Sequence, residues 1–277
     1  MRTALVVVAL SCMAQGQSIA VHGHRGARAI LPENTIPAFE YAIQSGVDVL
    51  ELDMAVSRDG VIVVSHDPYL RPPTCKGPQA SAVIHQSTLA DIRKWDCGSI
   101  QNPRFPKQQT RPGTRMPTLE EVFSLAPRGR FEFNIETKSF PDRPELTPPP
   151  DEFAAMVLAL IRKHHLENRV ILQSFDFRTL RAMKKLAPEI RRSALTENDK
   201  RDFVTIAREA EATIISPEYG LVTKDKVQQA HAAGLQVVPW TANKPEEWDR
   251  LIDAGVDAII SDDPAALIAR LKSRGLR

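Results

Sequence analysis

Four short clusters in this chain combine residue types that move protons or hold charge: His24-Arg25-Gly26, Glu51-Leu52-Asp53, His66-Asp67 and Asn134-Ile135-Glu136-Thr137-Lys138. If they lie at strand ends, alternation puts Glu51 and Asp53 on one face of their strand and Asn134, Glu136 and Lys138 on one face of theirs. Leu50 and Leu52 then turn the other way. Three carboxylates brought together repel unless a positive charge sits between them. A hard divalent cation on oxygen ligands would satisfy them, and a salt-bridge network with Arg25 and Lys138 is the other outcome. A zinc site is not suggested, because the chain has neither H-E-x-x-H nor a Cys/His cluster. The charges add to an anion site: three carboxylates, a divalent cation, Arg25 and Lys138 leave one positive charge, which a phosphodiester neutralises. Arginine matches phosphate oxygens as a bidentate fork and lysine adds a point charge. Two histidines, with reference pKa near 6.5, can act as base and acid at neutral pH.

The elements that must position these residues announce themselves through a recurring helix–glycine–strand unit. It appears at residues 42–53, 230–241 and 251–262, with Gly46, Gly234 and Gly255 closing the helices. Strands are expected near 19–24, 48–54, 131–137, 170–175, 191–196, 213–217, 236–241 and 258–262. Helices fit between them. Asn34 or Thr35 caps one carrying Phe39, Ala42 and Ile43. Asp151 opens another with Phe153, Val157, Leu160 and Ile161, and Pro245 sits in the first turn of a third. Continuous apolar strands alternating with helices mean a parallel sheet covered by helices. Eight such units predict an α/β fold of the (β/α)8 TIM-barrel type, which takes about 250 residues and keeps its chemistry at the strand C-termini. An open doubly wound sheet lacks its G-x-G-x-x-G signature here. Residues 67–117 break the rhythm, with one helical patch at 89–95. They are expected to be a proline-rich insertion at the barrel mouth, after the second strand region, without a core of their own, in a single catalytic domain spanning 17–277.

Read in order from His24 to Pro264, the segments HGHRGA, PENT, ELD, DG, SHD, NIETK, WTAN and SDDP resemble the glycerophosphodiester phosphodiesterase family, in a bacterial-type exported form. A more distant similarity is to the sphingomyelinase D-like enzymes, but the PENT and Glu-x-Lys features favour the phosphodiesterases. The resemblance implies metal-dependent hydrolysis of a glycerophosphodiester to glycerol 3-phosphate and an alcohol. It makes His24 and His66 the general acid and base, and Glu51, Asp53 and Glu136 the ligands of one divalent cation, Ca2+ or Mg2+. Arg25 and Lys138 match the phosphate-contacting pair, and Trp240 an aromatic lining the glycerol pocket. Glu33 and Asn34 are expected to fix their loop. The implied route is attack by the substrate's own glycerol 2-hydroxyl, giving a cyclic 1,2-phosphate that water opens. His24 is expected as the first base and His66 as the leaving-group acid. A lyase acting on lysophospholipids and a non-catalytic phosphodiester-binding barrel are the competing readings. Of the remaining histidines, His22 shares the face of His24 and is expected in a supporting or core role, whereas His85, His164, His165 and His231 are expected in solvent.

Composition sets the limits. The chain has 277 residues, with 36 Lys+Arg against 34 Asp+Glu. A formal charge of +2 gives no reason to expect nucleic acid as a partner. The partner is expected to be a small molecule, without stable membrane insertion. Residues 1–16 read as a signal peptide: Arg2, an apolar run to Ala14, then small residues at the −3 and −1 positions. That run is shorter than the roughly 20 residues of a permanent span. Export to the periplasm or medium follows, and it makes a bridge between Cys75 and Cys97 plausible, two free thiols being the alternative. Of 21 prolines, 14 lie between Pro68 and Pro150, mostly in the insertion and in the stretch after Lys138. Stiffened loops leaving two site-bearing strands are expected to wall the mouth and select the alcohol group.

Overall fold

The computed structural model describes residues 18–277. Residues 1–16, expected to be a signal peptide and including Cys12, lie outside the described residues. In chain order the strands are β1 (Ala20–Gly23), β2 (Val49–Val56), β3 (Ile62–Val64), β4 (Tyr69–Leu70), β5 (Ala82–Val83), β6 (Glu132–Thr137), β7 (Val170–Ser174), β8 (Arg191–Thr196), β9 (Ile214–Pro217), β10 (Gln236–Val237) and β11 (Ala258–Ser261). The α-helices are α1 (Ile36–Ser45), α2 (Leu89–Ile92), α3 (Leu119–Phe123), α4 (Pro150–Lys163), α5 (Phe177–Leu186), α6 (Phe203–Glu209), α7 (Lys224–Ala232), α8 (Pro245–Ala254) and α9 (Pro264–Ser273).

Eight parallel strands run in the order β10-β9-β8-β7-β6-β2-β1-β11. The two ends meet through backbone hydrogen bonds from Asp257 N–H to Val237 O and from Ile260 N–H to Pro239 O, each 3.0 Å. This nearly closed ring with its outer helices is the expected (β/α)8 barrel. The strands are buried on both sides, which is why they read as largely apolar runs broken by the polar residues that point into the barrel. Leu50, Leu52, Phe133, Ile135 and Leu172 meet Phe39, Phe153, Val157 and Leu180 in the layer between strands and helices. Ile171, Ile214, Val238, Ala258 and Ile260 form a separate cluster, drawn from the other face of the same strands.

The helix ends behave as the sequence pattern demands. Thr35, not Asn34, caps α1, accepting from Ala38 N–H, and α1 closes at Gly46 with φ 86°. α4 begins at Pro150, one residue before Asp151, which lies in its first turn. Pro245 opens α8.

Past the rim, β2 continues as an antiparallel hairpin with β3. The insertion that follows does hold a small apolar cluster, made by Leu70, Cys75, Ile84, Ile92, Trp95, Cys97 and Met116 and joined to Ala55 and Val63 of the hairpin. It is therefore seated on the extended strand pair. Cys75 and Cys97 are disulfide-bonded. His85 is half-buried, its Nδ1 2.9 Å from Val56 O, and His164 packs edge-on against Phe123; neither is the free solvated histidine expected. Among the described residues no helix is long and apolar enough to cross a membrane.

Candidate active site

β1 ends in the tight turn that carries His24, Arg25 and Gly26. At Gly26 φ is 84°, and a Cβ there would come within 2.7 Å of the Ala38 backbone. Only glycine allows the turn to lie this close to α1. Arg25 and Asn34 also take positive φ, 50° and 56°. The result is that the loop folds back onto β2. Arg25 N–H donates to Glu51 Oε2 at 2.9 Å, and Asn34 Nδ2 donates to Asp53 Oδ2 at 2.9 Å. Glu33 holds the Arg25 guanidinium at 2.7 Å. Glu33 and Asn34 thus fix the loop, as expected of them.

The β2–β6 register places Glu51 opposite Asn134 and Asp53 opposite Glu136. Glu51, Asp53 and Glu136 are buried, and each offers an oxygen such that all three lie within 4.8 Å of one another. Lys138, just past β6, reaches Glu136 at 2.7 Å and Asp53 at 3.1 Å, and Arg25 Nε lies 3.2 Å from Asp53. The salt-bridge network is therefore real, but it leaves one acid out. Glu51 makes no ion pair with lysine or arginine among the described residues. Its oxygens take the Arg25 N–H and Gln173 Nε2, at 2.8 Å. Burial, reinforced by Asp53, pushes its carboxyl well above the usual range. Burial also raises Glu136. Burial works on Asp53 in the same direction, but Lys138 and Arg25 outweigh it and hold that carboxyl well below the usual value. An all-oxygen donor set with one unpaired buried carboxylate fits a hard divalent cation.

Beneath this triad lies a polar layer inside the barrel. Asn134 Nδ2 donates to Gln173 Oε1 at 2.9 Å, and Gln173 passes the connection on to Glu51. Below them His22 is 2 % exposed, and burial lowers its pKa to about 3. It belongs to the interior.

His24 stands above Glu51, with Nε2 3.9 Å from its Oε2. Its Nδ1 is 2.5 Å from Asp262 Oδ1. Arg28 and Asn243 also hold Asp262, at 2.6 and 2.8 Å. Burial and the nearby Arg28 lower the His24 pKa to about 4. Asp262 is held below its ordinary value because His24 and Arg28 outweigh its burial. His66 leaves β3 at the lip of the site with Nδ1 3.1 Å from Asp67.

These groups surround one cavity of about 300 Å3. His24, Arg25, Glu51, His66, Glu136, Lys138 and Trp240 line it, and Asp53 lies behind them. Trp240 is tied by Nε1 to Ser216 O at 2.8 Å and packs edge-on against Phe175. The lining includes no residue of 67–117, contrary to the expected selective wall. The insertion instead supports the β1 loop from outside: Gln108 Nε2 donates to Arg28 O at 2.7 Å, and Arg28 lies over the Phe105 ring. Sequence reasoning missed Asp262, Gln173, Arg28, Phe175 and Glu197. Two left a trace: Gln173 is a lone amide in an apolar strand, and Asp262 directly follows the last strand.

Fold and site together define a barrel enzyme with a buried acidic triad at the strand C-termini. Comparison with known proteins narrows the class: the model of the glycerophosphoryl diester phosphodiesterase family matches residues 24–266, and the chain belongs to that family. A glycerophosphodiester phosphodiesterase of Caldanaerobacter subterraneus subsp. tengcongensis is 34% identical over 92% of this chain and 98% of that protein. One from Bacillus subtilis is 32% identical over 87% and 82%. Among solved structures, one from Silicibacter pomeroyi, assigned as a glycerophosphoryl diester phosphodiesterase, superposes with a TM-score of 0.86 at 31% identity, covering 94% and 95%. An Oleispira antarctica phosphodiesterase, solved with the product sn-glycerol-3-phosphate, shares the fold at 24% identity and a TM-score of 0.79, over 92% and 97%.

Proposed function

We propose that this chain, a glycerophosphodiester phosphodiesterase by family, hydrolyses glycerophosphodiesters to glycerol 3-phosphate and an alcohol with a divalent cation held by Glu51, Asp53 and Glu136. The observation that carries this reading is the gathering of two imidazoles, two cations and a buried acid triad around one small cavity. A bound Ca2+ or Mg2+ would supply Lewis acidity at the phosphoryl group and lower the pKa of the neighbouring glycerol hydroxyl. Arg25 and Lys138 would hold the phosphate oxygens. His24 suits the first base. Its pKa of about 4 keeps it neutral at pH 7, and an Nδ1–H directed at Asp262 leaves Nε2 free to take the 2-hydroxyl proton. His66, at the lip, would protonate the departing alcohol. The cyclic phosphate is then opened by water with the roles reversed, and Trp240 would pack on the glycerol. The disulfide fits an exported protein, periplasmic or secreted.

The test is an assay of glycerol 3-phosphate release by metal-stripped enzyme with Ca2+ or Mg2+ restored, on wild type and on His24→Ala and His66→Ala. Activity is expected to return only with metal, and each variant to lose turnover while retaining metal binding. Metal-independent release would overturn the triad's role, and a variant near full activity would overturn that histidine's. Phosphorus NMR that stops at the cyclic phosphate would mark a lyase, and binding without turnover a non-catalytic barrel.

A further inference from the structure

The cavity has one wall that the reaction as described does not use. Phe175, Leu195 and Glu197, from the ends of β7 and β8, line the cavity and also line a second groove of about 390 Å3 on the outer side of the mouth. They form the sill between catalytic centre and groove. Phe175 is 40% exposed although it is a large apolar ring, and its centroid lies 5.5 Å from that of Trp240 in an edge-on pair. Glu197 is exposed and has no hydrogen-bond or ion-pair partner among the described residues. The other acids of the groove do not share that freedom: Asp176 is held by Arg178, and Asp199 and Glu209 by Arg201. Arg181 donates to the carbonyl of Glu209. The groove's lining has four carboxylates, Asp176, Glu197, Asp199 and Glu209, against two arginines, Arg181 and Arg201.

Resting on the function proposed above, we infer that Phe175 and Glu197, beside the Trp240 that packs on the glycerol, form the subsite for the departing alcohol and that it selects an alcohol bearing an ammonium or quaternary ammonium group. The charges support this. Arg28 is paired with Asp262, and Glu197 is left on the lining without a cation partner among the described residues. A cation on the alcohol balances it. The exposed Phe175 ring supplies a π face, to which an alkylammonium group is attracted by a cation–π term that a neutral polyol lacks. No residue of 67–117 lines the cavity or the groove, so selection falls to the ends of β7 and β8.

The experiment measures kcat/KM for glycerol 3-phosphate release from the choline, ethanolamine, glycerol and inositol esters of glycerol phosphate, with wild type, Glu197→Gln and Phe175→Leu. Wild type is expected to prefer the two cationic esters. Glu197→Gln should cut the ratio of cationic to neutral kcat/KM about two- to fivefold. Phe175→Leu keeps apolar area but removes the ring, and it should lower the choline ester most. A ratio unmoved by Glu197→Gln, or an equal loss on all four esters, would overturn the subsite; an equal loss would place Glu197 on the glycerol common to them. Calorimetric binding of free choline to the same proteins separates the two readings. If wild type turns over none of the esters, the proposed function fails, yet choline binding that weakens in Glu197→Gln still upholds the subsite and choline binding that does not weaken overturns it.

Discussion

At the scale of single residues, the side chain that orients the His24 ring is Asp262. A buried imidazole with an Nδ1 contact to a carboxylate is fixed in one tautomer and one orientation, and here the carboxylate is itself held by Arg28 and Asn243. In the proposed mechanism Asp262 is a positioning residue acting through His24. Asp262→Asn keeps the shape and offers an amide where the carboxylate stood. We expect kcat to fall about 10²- to 10³-fold with a smaller change in KM, and the limb of the kcat–pH profile that reports His24 to move. Metal affinity, measured by calorimetry, should stay as it was. A parallel loss of metal binding would mean that the change had merely disturbed the β1 loop.

At the scale of elements, the proline-rich insertion does different work from the work its composition suggested. Its stiff loops and disulfide surround a small cluster seated on the β2–β3 hairpin, and its reach to the site is indirect, through Gln108 and Phe105 to Arg28. Replacing Cys75 and Cys97 together by alanine removes a cross-link closing a loop of sequence separation 22. The expected cost is about 3 kcal/mol in urea unfolding. KM should rise for every ester alike, since the support of the β1 loop loosens, while the ranking of alcohols stays unchanged. A changed ranking would return selection to the insertion.

At the scale of the whole molecule, the buried polar layer under the triad ties stability to pH. His22 has a pKa of about 3 in the folded chain against a reference near 6.5 when unfolded. Between those values the unfolded chain binds a proton that the folded chain refuses. Its contribution is therefore complete above pH 6.5 and is lost as pH falls towards 3. The slope approaches about 1.4 kcal/mol per pH unit in the middle of that window. Urea unfolding at pH 7, 6, 5 and 4 should show wild type losing stability faster than His22→Asn; equal slopes would mean that His22 is protonated inside the barrel.

The family resemblance implied that Glu136 joins Glu51 and Asp53 and that His24 and His66 act beside them; the local pattern of this chain was enough to determine the eight strands, the closing glycines and the shared face of Glu51 and Asp53. Each rests on short-range rules: a strand's faces alternate every second residue, so Glu51 and Asp53 had to point together, and a helix must end where a left-handed residue follows. What the chain alone could not determine depends on residues far apart meeting across the barrel mouth. Asp262 and His24 are 238 positions apart, and Gln173 and Glu51 are 122 apart. The insertion's place outside the cavity, and that of Phe175 and Glu197 on its wall, follow from which strands become neighbours when the sheet closes. Closure is a property of the whole ring of hydrogen bonds, and no single segment encodes it.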